Sequence, residues 1–523
     1  MGGRDGFSPM LYVSPFVEGL RARPRLVFWA AALIQAVVWV LVPSIFYASP
    51  PGDLPQVLAV GHEWQAGSLL GPPLSNWLAE IAYTLSGHHL FGVYVLSQVC
   101  VVVTYWAVFT LGRAIVGAKH AAIATLLMAG IFIFSVPSPD FGPAILGMPF
   151  AALALLHYWR ALGEGRPLYW YALAADLGLM FMATYVALIL FVVMAVFTVA
   201  TERGRAALAT AIPWAALLLT LWIASPHLVW LAQNGIPSSL SFGDVVQRSM
   251  ASAQLGDWLR LAGGVVLAHI GLVLLVVVAM KRGRPAEVPI VARNRVQGFA
   301  KTFVYFFALM PALLGMVVSV LVGQQTLAGG GAPLVVLSAL GIVVAAGDVI
   351  AIRRQRVLAA AWVVLLIGPA FAIVAAIILF PWTIGVDLRT NEPAAAMARF
   401  FTDSFNRRTG KSLDLVIGDA RLVGLVALGS RDRPRVMFGV SSENSPWVSD
   451  SDIAGKGAIV IWRATDAAGA PPAAIRARFP NLVAEMPRAF ERPIQGRLPL
   501  MRVGWAMIRP QAEDKRPTTE GAR

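Results

Sequence analysis

Long apolar segments recur over the first 380 residues of the chain and predict a bundle of membrane-spanning helices. A hydrocarbon core of about 30 Å needs roughly 20 apolar residues as helix. Segments of that kind are 26–47, 90–112, 120–137, 144–160, 206–224, 259–280, 302–323, 333–351 and 357–380. The run 167–200 is too long for one span, and we split it near Thr184–Tyr185 into two short helices. The pattern therefore predicts about eleven transmembrane helices.

The pattern changes after Trp382. Short β-like runs are separated there by Gly, Pro and Asp, which is typical of strands joined by turns. They begin at Leu413, Arg435, Ala458 and Gly504. We expect a helix before them, capped by Asn391. At helical spacing one face of it is apolar and is predicted to be core; its residues are Met397, Phe400, Phe401 and Phe405.

These patterns predict a mainly α, polytopic membrane protein with a small C-terminal α/β domain. We expect four parts: a cytoplasmic N-terminus at 1–25, a transmembrane domain at 26–386, a periplasmic α/β domain at 387–510 and a disordered tail at 511–523.

Composition supports the membrane class. The chain is 58% hydrophobic and 13% charged, whereas soluble domains have about a quarter charged residues. The net charge is +14. We expect the basic residues to lie mostly in cytoplasmic loops, next to anionic lipid headgroups. We therefore expect membrane lipids as partners and no nucleic acid.

Basic residues are distributed unequally between alternate loops. With the N-terminus inside, the predicted cytoplasmic segments hold 19 Lys and Arg, whereas the outer loops hold Arg248 alone, with Arg260 at a helix edge. This asymmetry predicts a cytoplasmic N-terminus and, with an odd number of spans, an external C-terminus. Asp348, inside a predicted span, is either a functional intramembrane acid or, as we favour, a side chain that snorkels or pairs with nearby Arg353.

The candidate chemistry lies on the outer side. The predicted polar loop 52–77 contains Asp53 but no Lys or Arg, and Asp140 lies in the short outer turn SVPSPDFGP. A carboxylate at the edge of the hydrocarbon region can serve as a general base. The alternatives are that Asp53 forms a solvated turn and that Asp140 caps the helix starting at Pro143.

Several further polar residues share that side, namely His62, Glu63, His88 and His89. Adjacent histidines at the start of a span are more often interfacial anchors than ligands, and no HExxH or similar metal spacing appears. No cofactor is firmly predicted, and the need for a divalent metal is left open.

The order of these features resembles the membrane half of GT-C glycosyltransferases. The likeness consists of an acid after the first span, a Pro-Pro-Leu loop, a Pro-Asp turn after the third span, and SPHLVWLAQNG after the seventh. It covers roughly residues 26–240. The branch it resembles includes protein O-mannosyltransferases, the lipid A aminoarabinose transferase and rhizobial galacturonosyltransferases.

The resemblance implies transfer of a sugar from a polyprenyl phosphate carrier to an acceptor hydroxyl in the cell envelope, at the outer face of the bacterial inner membrane. Asp53 matches the first-loop acid and Asp140 the acid of the second outer turn. Substrate-binding roles are expected for His62, Glu63, His88, Asn234, Arg248 and Arg260.

Four positions depart from the family pattern. Leu54 replaces the second acid of the first loop, and Gly71, Tyr94 and Thr184 replace three cations. Arg248 or Arg260, with His62 or His88, is then expected to hold the donor phosphate. The alternatives are a catalytically altered homologue that binds a lipid-linked glycan, and a transporter or assembly scaffold.

Overall fold

The computed structural model describes residues 14–68, 71–235, 255–280, 289–324, 326–327, 330–441, 444–464, 466 and 468–511. They form two compact units. The first comprises Met1–Ser44 and Phe91–Ile373, and the second comprises Ile45–Leu90 and Val374–Arg523. The predicted tail from residue 512 onward and Arg248 lie outside the described residues.

The helices of the membrane-type region follow one another from the N-terminus. They are α1 (Pro15–Ala22), α2 (Pro24–Phe46), α3 (Leu54–His62), α4 (Leu74–Leu85), α5 (Leu90–Met128), α6 (Pro143–Tyr158), α7 (Tyr169–Ala183), α8 (Val186–Ala200), α9 (Glu202–Leu208), α10 (Ile212–Asn234), α11 (Leu255–Ala268), α12 (Ile270–Met280), α13 (Gly298–Val322), α14 (Ser338–Ala345) and α15 (Gln355–Thr383). Two short antiparallel strands, β1 (Ile290–Ala292) and β2 (Val349–Ala351), pair in the same region.

Among the described residues, six helices are long and apolar enough to cross a membrane, or up to eight if each of two bent pairs counts as one span. The mainly α, multi-pass fold is confirmed. The break predicted at Thr184–Tyr185 is present, because Thr184 adopts extended backbone between α7 and α8. The predicted span 120–137 is wrong in its extent, since α5 ends at Met128 after a kink at Gly117.

Aromatic side chains fill the middle of the first unit. Tyr158 of α6 meets Phe197 of α8 and two rings of α13, Phe303 and Phe307, with ring centroids 5.7 to 6.2 Å apart. All four are essentially inaccessible to solvent. Burial of such rings contributes a large part of packing energy, so α6, α8 and α13 form one core.

Asp348 does not pair with Arg353. Its Oδ1 lies 3.0 Å from Nε of Arg293, and the amide of Arg293 also donates to the Asp348 carbonyl. The pairing of β1 with β2 brings these two residues together at the ends of the strands, which sequence spacing does not show.

The second unit contains an α/β domain. Its elements are α16 (Ala394–Thr409), β3 (Leu415–Gly418), α17 (Ala420–Gly429), β4 (Arg435–Phe438), α18 (Asp450–Lys456), β5 (Ala458–Arg463), α19 (Ala473–Arg478), β6 (Ala484–Phe490) and β7 (Met501–Ile508). The strand order is β4-β3-β5-β7-β6. β3 pairs parallel with β4 and β5, and β7 pairs antiparallel with β5 and β6.

The predicted apolar face of α16 is core, since Met397, Phe401 and Phe405 are fully buried. The predicted cap is wrong. Pro393 occupies the N-cap position of α16, while buried Asn391 exchanges hydrogen bonds of 2.8 and 3.0 Å with the main chain of Ile494. A long-range partner thus replaces the local capping interaction.

The segment predicted as the first outer loop is largely helical. Leu54 and Leu58 of α3 are fully buried, and Ala59 and Val60 belong to the core of the α/β domain. A side chain added at Gly424 of α17 would lie 2.9 Å from the Pro55 carbonyl oxygen, so these helices pack at close range. The segment predicted as a polar loop therefore contributes apolar surface to the second unit.

Candidate active site

Asp53, the first candidate acid, stands at the N-terminal end of α3. Gly52 precedes it in a turn with φ of 46°, and the Asp53 carbonyl accepts hydrogen bonds from the amides of Gln56 (2.9 Å) and Val57 (3.1 Å). Its side chain makes no capping hydrogen bond and is 72% exposed. The carboxylate is thus presented to solvent from an ordered helix start, as a proton acceptor requires.

Arg389 lies beside Asp53. Its Nη1 is 3.9 Å from Asp53 Oδ1, and both side chains are mostly exposed. It belongs to a short 3-10 turn, Arg389–Asn391, ahead of α16. Sequence analysis missed this cation, because no spacing rule connects residues so far apart along the chain.

Arg421 fixes the main chain on both sides of this pair. Its buried guanidinium donates to the carbonyls of Pro50 (3.0 Å) and Arg389 (2.8 Å), and also to the Gly52 carbonyl. The planar guanidinium presents several donors in a fixed geometry. A single side chain thereby holds the turn before Asp53 and the main chain of Arg389 in one arrangement.

Glu392 balances the charge of Arg421. Its carboxylate, 2% exposed, is 2.5 Å from Arg421 Nε and 2.6 Å from Arg463 Nη2. Arg463 ends β5, and Arg421 lies in the helix that follows β3. Open parallel sheets bind ligands outside the carboxyl ends of their strands. In this domain, Arg421 at the carboxyl ends of β3 and β5 binds the segment that carries Asp53.

Asp140 lies in the first unit, in the turn before α6. Buried Ser138 anchors this turn, since its hydroxyl accepts a 2.9 Å hydrogen bond from Gln98 Nε2 and its carbonyl one from Ser97. The N-cap residue of α6 is Gly142, and no side chain caps the helix. The capping alternative for Asp140 is therefore not supported.

A cavity of about 610 Å³ is lined by both Asp140 and Arg260. His269 and Thr326 are the other polar side chains among its lining residues, and the remaining walls are apolar. Arg260 Nη2 also lies 3.3 Å from Asp257, one helical turn earlier in α11. The structure thus brings one predicted acid and one predicted cation to the same mainly apolar cavity, a setting suited to an amphiphile with a charged end.

Two predicted residues, His62 and Glu63, contact side chains of the second unit. Glu63 lies 2.9 Å from Arg435, and His62 Nδ1 lies 3.2 Å from Glu80, which Arg433 contacts at 2.8 Å. These pairs join α3 and α4 to the α/β domain. Their geometry favours a structural role for His62 and Glu63 over substrate binding.

The acid at the centre of this network has a perturbed pKa. Burial of Glu80 raises the pKa, but hydrogen bonds from His62 and Arg433 and the charge of Arg433 outweigh burial, so the pKa lies below its ordinary value of 4.5. His62, Tyr83, His88 and Arg433 line an open cavity of about 600 Å³. Asn234 ends α10, where its Nδ2 donates to the Trp230 carbonyl at 3.0 Å.

The described residues contain no group of three or more His, Cys, Asp or Glu side chains that could hold a metal ion. Two of the three positions where a cation was expected from the resemblance, Tyr94 and Thr184, are buried, and the third, Gly71, has φ of 141°. Arg389 nevertheless lies beside Asp53, and Arg260 lines the same cavity as Asp140.

The chain is similar to known proteins in part of its sequence and in its overall structure. A family model described as dolichyl-phosphate-mannose-protein mannosyltransferase matches residues 71–230, a segment that includes Asp140 but not Asp53. The structure is similar to ArnT from Cupriavidus metallidurans bound to undecaprenyl phosphate, with a TM-score of 0.60, 13% identity and coverage of 92% of this chain and 97% of ArnT. This chain has the GT-C fold.

A second ArnT structure, in the apo state, matches the GT-C fold of this chain with a TM-score of 0.54, 13% identity and the same coverage. No curated protein sequence matches the chain significantly. The resemblance to GT-C glycosyltransferases is thereby confirmed at the level of the superfamily. The fold alone does not assign residue roles, which rest on the geometry described above.

Proposed function

We propose that the protein is a membrane glycosyltransferase that moves a sugar from a polyprenyl-phosphate donor to an acceptor hydroxyl at the periplasmic face of the inner membrane. The main support is the cavity that holds Asp140 and Arg260 in a chain with the GT-C fold. A structure of similar fold contains undecaprenyl phosphate, a ligand with an anionic end and an apolar tail. The acceptor belongs to the cell envelope and is a lipid, a polysaccharide or a protein.

The proposed reaction needs a proton acceptor and a cation. The acceptor oxygen forms a bond to the anomeric carbon as the bond from that carbon to the phosphate oxygen breaks. The hydroxyl proton passes to a carboxylate, for which Asp53 and Asp140 are the two candidates. Negative charge grows on the departing lipid phosphate, where a guanidinium is stabilising. Arg260 is assigned to this phosphate.

Arg389 is a second candidate for binding an anionic group. Its side chain is 65% exposed beside Asp53, and its main chain is held by Arg421. It supplies positive charge next to the proposed base, which the family positions at Gly71, Tyr94 and Thr184 do not. We propose that Arg389 contacts an anionic part of the donor or acceptor.

Lipid binding by the purified protein tests the role of Arg260. In nanodiscs, Arg260→Gln should bind undecaprenyl phosphate roughly tenfold more weakly than the unchanged protein, since a hydrogen bond to a charged group contributes about 1.5–3 kcal/mol. Arg295→Gln, which removes an exposed charge of the same unit, is the matched control. Equal affinity in the two variants contradicts the assignment.

The alternative function is a catalytically altered homologue that binds a lipid-linked glycan. The uncharged, buried Tyr94 and Thr184 favour it. Both functions require binding of the lipid phosphate, but only the transferase releases it from its sugar. Incubation with a radiolabelled polyprenyl-phosphate sugar and a cell-envelope extract separates the two: retained donor with no transferred label supports the altered homologue.

A further inference from the structure

A second apolar cavity, of about 490 Å³, lies in the first unit and shares no lining residue with the cavity of Asp140. Its volume falls in the range of ligand sites, about 300–1,000 Å³. The walls come from α1, α5, α12 and α14 and from the start of α15. They include the apolar side chains of Phe16, Leu126, Leu275, Ile342, Leu358 and Trp362.

Two guanidiniums belong to the lining of this cavity. Arg353 and Arg354 are exposed and occupy the turn between β2 and α15. In the part of the chain that the structure describes, no carboxylate lies within ion-pairing distance of either one; the nearby acid Asp348 pairs with Arg293 instead. The cavity therefore combines a long apolar wall with two cations at one end.

The helix α1 adds further apolar and basic residues to this end of the cavity. Its apolar residues Val17 and Leu20 are buried, and a 2.7 Å hydrogen bond from the Ser14 amide to Gln355 Oε1 ties its start to α15. On and after α1 the basic residues Arg21, Arg23 and Arg25 are exposed. Such a short helix with an apolar inner face and cationic surroundings is suited to the boundary between headgroups and acyl chains.

We propose that this cavity binds an anionic phospholipid, with an acyl chain along the apolar walls and the phosphate at Arg353 and Arg354. Basic pockets between membrane helices on the cytoplasmic side bind anionic headgroups, and the loop charges predict that this end of the bundle faces the cytoplasm. The lining residues differ from those of the proposed transferase site, so this lipid is a separate ligand and not the sugar donor.

Native mass spectrometry tests the proposal. The full chain is extracted from vesicles of phosphatidylcholine and phosphatidylglycerol in equal amounts, and the retained lipid is identified. We expect preferential retention of phosphatidylglycerol, reduced at least fivefold in Arg353→Gln/Arg354→Gln. Lys301→Gln/Arg356→Gln removes the same charge at residues that do not line the cavity and should retain the lipid.

Two further variants keep the result interpretable. Arg353→Lys/Arg354→Lys preserves the charge and should retain the lipid even if the Gln variant folds poorly. Ala279→Trp fills the cavity from α12 and should reduce retention while Arg353 and Arg354 remain.

Three results would overturn the proposal. The first is equal loss of phosphatidylglycerol in the Gln variant and its charge-matched control. The second is equal retention of phosphatidylcholine and phosphatidylglycerol, since the headgroup then has no role. The third is lipid retention only after removal of residues 2–12, since the chain itself then occupies the cavity.

Discussion

At Asp53 an exposed side chain stands on a firmly held main chain. The carboxylate makes no capping hydrogen bond, whereas the carbonyl of the preceding Gly52 accepts from buried Arg421. The Asp53 carboxylate is 72% exposed and lies 3.9 Å from Arg389 Nη1. A group from outside the chain can therefore reach this acid and the cation beside it.

Asp53→Asn should abolish sugar transfer while shifting the melting temperature by less than about 2 °C, because exposed substitutions change stability by roughly 0.5 kcal/mol or less. The amide keeps the shape of the side chain but cannot accept the acceptor's proton. Transfer and thermal unfolding are measured on the same preparation. Asp403→Asn, at an exposed acid of α16, is the control, and full transfer by Asp53→Asn would rule out the general-base role.

Arg421 is predicted to be a positioning residue. Arg421→Met should lower stability by up to about 3 kcal/mol, because the buried carboxylate of Glu392 then keeps only the half-exposed Arg463 as its charged partner. Transfer activity should fall as well.

A double variant separates these two effects. Arg421→Met/Glu392→Leu removes the buried charge and should recover most of the melting temperature, but it does not restore the donors to Pro50, Gly52 and Arg389. Activity should therefore remain low. Recovery of activity together with stability would show that Arg421 acts only through the fold.

At the scale of elements, α3 and α4 depend on the α/β domain for their position. Arg433 contacts Glu80 of α4 at 2.8 Å, and its guanidinium carbon lies 4.8 Å from the ring centre of Tyr83. Arg435 contacts Glu63 after α3. Two neighbouring arginines of the domain thus hold the two helices that follow Asp53.

This network predicts a pH dependence of stability. The pKa of Glu80 is lower in the folded protein than its ordinary value of 4.5, so its ionised form stabilises the fold. That stabilisation is complete above the unfolded value and is lost as the pH falls through the lower folded value. The difference in melting temperature between the unchanged protein and Glu80→Gln should shrink from pH 6 to the acid range. A constant difference would contradict the prediction.

Local patterns predict local elements. The break at Thr184 and the buried stripe of Met397, Phe401 and Phe405 follow from apolar periodicity, and so do the strands β3, β4, β5 and β7. The strand β6 was missed, because Pro487 interrupts it and most of its side chains are partly or fully exposed. No local pattern indicates the contacts of Arg389 and Arg421 with the first loop, since these arise only when distant segments pack.

For the whole molecule, the packing of the first loop restricts the number of membrane crossings. Asp53 and the α/β domain belong to one unit, joined through Arg421, so both lie on one side of the membrane. The chain between Asp53 and residue 387 must therefore cross an even number of times. Among the described residues, five of the six helices long and apolar enough to span follow Asp53, and with the two bent pairs seven follow it. Both numbers are odd, so either one more segment crosses or one of these helices does not.

In the predicted topology a shorter helix supplies a further crossing. The helix α7 has fifteen residues and is not among the six long apolar helices, but the sequence predicts it as one of the two spans split at Thr184–Tyr185. Eleven spans place ten between Asp53 and residue 387, which is even. The 19 basic residues of the predicted inner segments, against Arg248 in the predicted outer loops, then predict that the α/β domain is periplasmic.

Reporter fusions test this topology. Alkaline phosphatase fused after Trp382 should be active, because the enzyme matures only outside the cytoplasm, and a fusion after Arg284 should be inactive. A fusion after Gly52 should be active like the one after Trp382, since Arg421 holds the segment before Asp53 to the α/β domain. An inactive fusion after Trp382 beside an active one after Arg284 would place Asp53 in the cytoplasm and overturn the proposed periplasmic reaction. If one of the fusions after Gly52 and Trp382 were active and the other inactive, the even number of crossings would be contradicted, whatever the direction of insertion.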